Sequence, residues 1–256
     1  MFKFKIFIIS ILMTSKLIAE YELQDPSFGN ISVEVGVWDA FLNGSISNTN
    51  TNTDIKNDLG FIDSKNITSF GMDVKNNIFW LPNIHVDYFI LNSSSHSDLV
   101  NKRIDNDNFN GTTLSEITYS EINTIMYGYL QRGIFDFDLG VNIKKINLEE
   151  TVKSLSGTSS VIIKGPESIL ILPYIALNIN LDFMNTIIKA ESSLLSIGDN
   201  EAKDYKLSLT YKVMRNLYLT YGSRYNSFKS QNSNKINNEK NDINLKGNYF
   251  NVKLLF

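Results

Sequence analysis

The chain of 256 residues contains no cysteine and only two histidines, and each scarcity closes a class of explanation. Without cysteine there is no disulfide, no thiolate metal site and no lipid-modified cysteine anchor, even for a protein entering an oxidising compartment. Two separated histidines and no dense run of carboxylates leave neither a transition-metal nor a calcium motif, so no cofactor and no metal are expected. Long apolar runs are also missing. The only sustained one covers residues 6–13, and a mean hydropathy of -0.12 excludes a polytopic helical membrane protein. Nor is there an excess of positive charge: 24 Lys and Arg stand against 27 Asp and Glu, a balance that attracts no nucleic acid.

What is present begins with export. Lys3 and Lys5 precede the apolar run, and Ser15, Lys16, Leu17, Ile18 and Ala19 follow it, which is the layout of a secretory signal peptide over residues 1–19. The run is too short to span a bilayer as a helix. Cleavage after Ala19 leaves Glu20 as the new terminus, with Leu17 bulkier than the residue usual at its position. Removing Lys3, Lys5 and Lys16 moves the balance to 21 minus 27, or -6. Residues 20–256 then read as one domain.

Within that domain the dominant pattern is period-two alternation in segments separated by Asn, Ser, Asp, Gly and Lys. Phe135, Phe137, Leu139, Val141 and Ile143 alternate with Asp136, Asp138, Gly140, Asn142 and Lys144. One face suits lipid and the other water. Ile84, Val86, Tyr88 and Ile90 against His85 and Asp87 repeat this grammar, as do residues 175–182, 205–213 and 217–224. In the first strand the apolar phase set by Val33, Val35 and Val37 changes at Trp38 and Asp39 before Ala40, Leu42 and Ile46 resume it, which predicts a bulge. Residues 67–80 and 113–127 also read as strands, with ambiguous facing. The pattern predicts an all-β fold, a single antiparallel transmembrane barrel of about ten strands, with roughly eight and twelve as bounds. Links at residues 81–83, 129–133, 183–185 and 214–216 are short and are expected as periplasmic turns. Those near 48–66, 96–112, 149–167, 199–203 and 229–246 are mostly long and polar, as extracellular loops.

The last ten residues put Phe250, Val252, Leu254 and Phe256 on one face after Gly247. An alternating strand ending on an aromatic resembles the C-terminal signal read by the barrel-assembly machinery of Gram-negative outer membranes, so Gly247, Phe250, Val252, Leu254 and Phe256 are the expected assembly signal. Beyond that signal, the chain is similar to an uncharacterised family of small outer-membrane β-barrel proteins. The resemblance is carried by Gly36, Val37 and Trp38, by Ile55, Lys56, Asn57, Asp58, Leu59, Gly60 and Phe61, by Leu81, Pro82 and Asn83, by Asp138, Leu139 and Gly140, and by Asp204, Tyr205 and Lys206. It implies a topology and no assigned activity.

Candidate chemistry is sparse. His85 follows the first short turn, far from an outer-surface site. His96, within Ser95, His96, Ser97 and Asp98, is the one fragment suggesting a surface hydrolase of omptin-like or lipid-modifying type, but triads are made by spatial geometry and not by adjacency. Leu59, Phe61 and Ile62 are odd for a solvated loop and suggest a segment folded onto the barrel mouth. The expected lumen is more informative: Glu34, Asp87, Asp136 and Asp138 on early strands face Lys189, Glu191, Lys206, Lys212, Arg224 and Lys253 on late ones. Charges in so narrow a lumen require pairing or hydration. The expectation is an outer-membrane protein, not an enzyme, with a filled, ion-paired lumen and a structural or surface-interaction role. A narrow porin-like or small-solute channel is the first alternative and the surface hydrolase the second. Expected partners are outer-membrane lipid and lipopolysaccharide, with periplasmic chaperones and the assembly machinery during biogenesis, for a chain acting as a monomer.

Overall fold

A computed structural model describes residues 31–48, 51–76, 81–104, 107–155, 157, 159–164, 168–197, 200–232 and 239–256. The expected leader, residues 1–19, lies outside the described residues. In chain order the strands are β1 (Ile31–Asn48), β2 (Thr51–Asp54), β3 (Lys65–Val74), β4 (Asn83–Ile104), β5 (Asp107–Arg132), β6 (Phe135–Ser154), β7 (Ser160–Lys164), β8 (Ser168–Leu181), β9 (Thr186–Ile197), β10 (Asn200–Met214), β11 (Leu217–Asn232) and β12 (Glu239–Leu255). All pair antiparallel. Ten of them form a ring closed by β12 on β1, while the short β2 and β7 extend the wall by pairing with the upper parts of β1 and β6.

The register sets the slant of the wall. Paired residues followed once round from Thr186 arrive at Ile169, whereas Thr186 itself pairs with Leu181; the offset, 181 minus 169, is 12 residues. With a rise of ~3.3 Å per residue and a strand spacing of ~4.8 Å, this offset over the ring tilts the strands by about 40°. The outward apolar sets, such as Phe135 to Ile143 on β6 and Tyr205 to Val213 on β10, then form a belt about 20–25 Å tall, matching the hydrocarbon thickness such barrels cover.

Two expectations need correction. No bulge occurs at Trp38: β1 pairs with β12 residue by residue from Ser32↔Leu255 to Ser47↔Lys240. The apolar phase changes because the surroundings change. Val33, Val35 and Val37 point to lipid, whereas Trp38, Ala40, Leu42 and Ile46 point inward and are buried. The long polar links are also largely strand. β4 and β5 stay paired up to Ile104↔Asp107, and β11 and β12 up to Asn232↔Glu239. Asn and Ser are frequent there because the wall above the belt meets water on its outer face, at Asn92, Ser94, Glu116, Thr118, Asn147 and Glu149.

That upper wall encloses a hydrophobic core. Leu42, Leu91, Ile117, Ile146, Leu148, Val152, Phe228 and Leu245 fill it, joined by Ile55, Leu59 and Phe61 from the segment after β2. This segment is an ordered turn. Asp54 Oδ1 accepts from the Asn57 amide (2.7 Å), and Asp58 Oδ2 accepts from the Asp54 amide (2.8 Å) and from Lys102 Nζ (2.7 Å). Gly60 adopts φ 78° where a Cβ would sit 2.6 Å from the His96 carbonyl oxygen, a conformation and an approach that suit glycine. Burial of three apolar side chains settles the segment as a plug in the barrel mouth, with Ile62 left in solvent.

Candidate functional site

Where the belt ends and the core begins, alternation turns a ring of polar side chains inward from β4, β5, β6, β10 and β11. Arg224 stands at the centre. Its Nε and Nη2 donate to Asp204 at 3.0 and 2.6 Å, Nη1 to Asp87 Oδ2 at 3.0 Å, and Nη2 also to Glu121 Oε1 at 3.2 Å. The guanidinium carbon lies 5.1 Å from the Trp38 ring centroid and 4.9 Å from that of Phe89, so two aromatic faces hold the plane of the cation. Glu121 is fully buried and accepts from Tyr119 Oη, Asn123 Nδ2 and Lys144 Nζ, each at 2.7 Å, and from Asn226 Nδ2 at 2.8 and 2.9 Å. Lys144 also reaches Asp204 at 3.3 Å, and Lys206 reaches Asp87 at 3.1 Å. Three acids, Asp87, Glu121 and Asp204, thus meet three bases, Lys144, Lys206 and Arg224. Burial of so many charges is tolerable only because the cluster is neutral and each of its carboxylates accepts hydrogen bonds from a buried base.

Below this cluster lies a cavity of about 480 Å³, on the side of the short turns and of both ends of the sheet. Asp73 accepts from Lys253 at 3.0 Å and Tyr127 at 3.2 Å on one wall. On the other, Lys189 lies 2.9 Å from Glu191 and 4.0 Å from Asp138, Glu191 accepts from Tyr174 at 2.7 Å, and Asp138 from Asn178 at 3.1 Å. Asp136 accepts from Asn180 at 2.7 Å, and Glu34 and His85 line the same space.

Of the residues expected in the lumen, the structure brings Asp87, Lys206 and Arg224 into the central cluster. It places Glu34, Asp136, Asp138, Lys189, Glu191 and Lys253 around the cavity. Lys212 is different: it stays exposed at the rim, its amide donating to the Asn185 carbonyl at 2.8 Å. The expected division into acidic early and basic late strands is also too simple, since Lys144 sits on β6 and Asp204 on β10. Sequence reasoning missed Asp73, Glu121, Lys144 and Asp204. Lys144 was visible, alternating with Ile143, whereas Asp73 and Glu121 lie in the strands of ambiguous facing.

At the C-terminal edge, Phe250, Val252, Leu254 and Phe256 face outward, and the Phe256 amide donates to the Ile31 carbonyl at 2.8 Å. Gly247 packs where a Cβ would lie 1.7 Å from the Asp39 carbonyl oxygen of β1. His96 is exposed on the outer wall, and strand alternation puts it on the face opposite to Ser95 and Ser97. Ser95 donates to the Gly60 carbonyl at 2.6 Å, Ser97 contacts Thr113 at 3.1 Å, and Asp98 accepts from Thr112 at 2.7 Å. This fragment does not assemble a triad.

No family model and no curated protein matches the chain. Among solved structures it is similar to the outer membrane protease OmpT from Escherichia coli, with a TM-score of 0.50, 9% identity, and coverage of 93% of this chain and 100% of that one. Neisserial surface protein A gives a TM-score of 0.35, 11% identity, and coverage of 88% and 96%. Ail, the attachment invasion locus protein of Yersinia pestis, gives 0.36, 8%, 88% and 99%. At these identities the likeness is one of fold, that of the outer-membrane β-barrels.

Proposed function

We propose that the chain is an integral protein of the Gram-negative outer membrane whose lumen is sealed, and that it acts as a structural or surface-interaction element and not as a pore or an enzyme. The observation that carries this reading is the neutral, hydrogen-bonded cluster around Arg224 beneath a mainly apolar core, because an ion crossing it must displace buried charge pairs and then enter a region poor in polar partners. The short turns and both sheet ends then face the periplasm, and the water-faced upper wall of β4, β5 and β6 stands outside the cell. The resemblance to the uncharacterised barrel family fits this reading, since its Asp58, Leu59, Gly60 and Phe61 motif supplies the plug. A hydrolase at His96 is disfavoured by the alternation that separates it from both neighbouring serines.

The test is conductance of the purified protein in planar bilayers. No steady current above background is expected, and a reproducible ion-selective conductance would establish the narrow channel instead. Location is tested by fractionation, with the protein expected in outer membranes and migrating faster before boiling than after. A soluble periplasmic distribution would end the membrane reading.

A further inference from the structure

Above the belt, between the outward Glu149 and Thr151, Glu150 of β6 turns into the apolar core. It is fully buried, and neither carboxylate oxygen has a hydrogen-bond partner among the described residues. The surroundings offer none. On β6 its inward neighbours are Leu148 and Val152. Ile117 of β5 and Ile163 of β7 stand opposite it, flanked by Ser115 and Tyr119 on β5 and by Val161 on β7. Tyr119 donates its hydroxyl proton to Glu121 at 2.7 Å, while Ser115 Oγ, and Ser93 Oγ of β4 opposite Ile117, are themselves unpartnered. Lys164 is in register with Glu149 and not with Glu150. Burial alone pushes the carboxyl up to about 7, with no charged group among the described residues opposing it.

A carboxylate in such a place needs water or a partner once it ionises. The way to water is past β7. This strand has five residues, pairs with β6 alone from Glu149↔Lys164 to Lys153↔Ser160, and has no strand on its other edge among the described residues. On the opposite side of β6, β5 pairs along most of its length with both β4 and β6. The element held most weakly around Glu150 is thus the one whose Ile163 covers it.

We propose that Glu150 is an acid-operated latch on the rim: the protonated carboxyl keeps β7 docked on β6, and the ionised carboxylate releases β7, leaving the upper part of β6 as a free edge. Opening releases a proton, because the docked carboxyl holds its proton to a higher pH than a hydrated one does. Docking is therefore at full strength below the ordinary value of 4.5, weakens by up to about tenfold per pH unit as the pH rises to about 7, and is constant above that. The latch acts on the rim and goes beyond the sealed-lumen reading, and it can be followed whether or not the barrel conducts.

The experiment is hydrogen exchange of the whole chain in detergent micelles, followed by mass spectrometry, with each amide's protection taken relative to its chemical exchange rate at that pH. Protection of Val161, Ile162 and Ile163 should fall by at least about tenfold between pH 5 and pH 7, while amides of the β1–β12 seam stay level. Glu150→Gln keeps the shape and cannot ionise, so protection of β7 should stay level across the same range. Glu150→Leu should behave in the same way, and faster migration before boiling than after checks that each variant has folded. A level profile in the parent, a fall that persists in both folded variants, or a fall shared equally by residues 115–119 of β5 would each overturn the latch.

Discussion

The two halves of β6 carry the same alternation with opposite meanings. In the lower half Phe135, Phe137, Leu139, Val141 and Ile143 point out and Asp136, Asp138, Asn142 and Lys144 point in; in the upper half Ile146, Leu148 and Val152 point in and Asn147, Glu149 and Lys153 point out. The backbone does not slip between them, since β5 and β6 pair without interruption from Arg132↔Phe135 to Thr113↔Ser154. Side-chain direction is thus continuous while polarity inverts. The lower half is a membrane protein, apolar outside; the upper half is built as a water-soluble one, apolar inside. Arg224 and its partners lie at the crossing, where charges leave the wet cavity and meet the dry core.

The change expected to break this arrangement most severely is Arg224→Ala. It leaves Asp87, Glu121 and Asp204 with only Lys144 and Lys206, and loss of one member of a buried ionic cluster costs about 3–5 kcal/mol. Urea unfolding in detergent should show a much lower midpoint, and the bilayer assay should show a leak current. An unchanged midpoint would mean that the cluster is not what joins the two halves. A matched pair of outward substitutions sharpens the contrast itself. Leu207→Lys puts charge into the belt and should cost about 2–4 kcal/mol, whereas Thr118→Lys, also outward but above the belt, should stay within about 0.5 kcal/mol. Equal costs would place both positions in the same medium.

One further change is expected to be a gain. Glu150 is fully buried in the upper core, its neighbours in register are Ile117 and Ile163, and neither carboxylate oxygen has a partner among the described residues. Glu150→Leu should therefore stabilise the protein by about 1–3 kcal/mol. A loss of stability would show that the carboxyl has a bonded role.

Much of the barrel was legible from alternation and link length, because period two and a lipid face impose a visible rhythm: the ring, its closure by the last strand and three of the four short turns, the fourth, expected at residues 81–83, being instead the end of a longer link between Val74 and Asn83. The inversion was not legible as such. At Trp38 it looked like a bulge, since a reader of hydropathy sees a change of phase and cannot tell a slipped backbone from a changed surrounding. The site was legible in part for a different reason. Asp87, Asp136 and Asp138 declare their direction through apolar neighbours, but the assembly of Glu121, Lys144, Asp204 and Arg224 depends on which strands face one another across the lumen. The bond from Arg224 to Glu121 joins residues 103 positions apart, and no local pattern encodes that meeting.

The unequal strand lengths have a consequence of their own. β5 has 26 residues and β9 has 12; at the tilt derived above they rise about 65 Å and about 30 Å along the barrel axis. The rim is therefore cut obliquely, low over β9 and β10 and high over β4, β5 and β6. Seen from above, the molecule has a front and a back. A large neighbour drifting in the plane of the membrane can lean over the mouth from the β9–β10 side and meets a screen from the other. Any contact made at the mouth would then carry a compass direction, fixing how this barrel is turned relative to its surroundings.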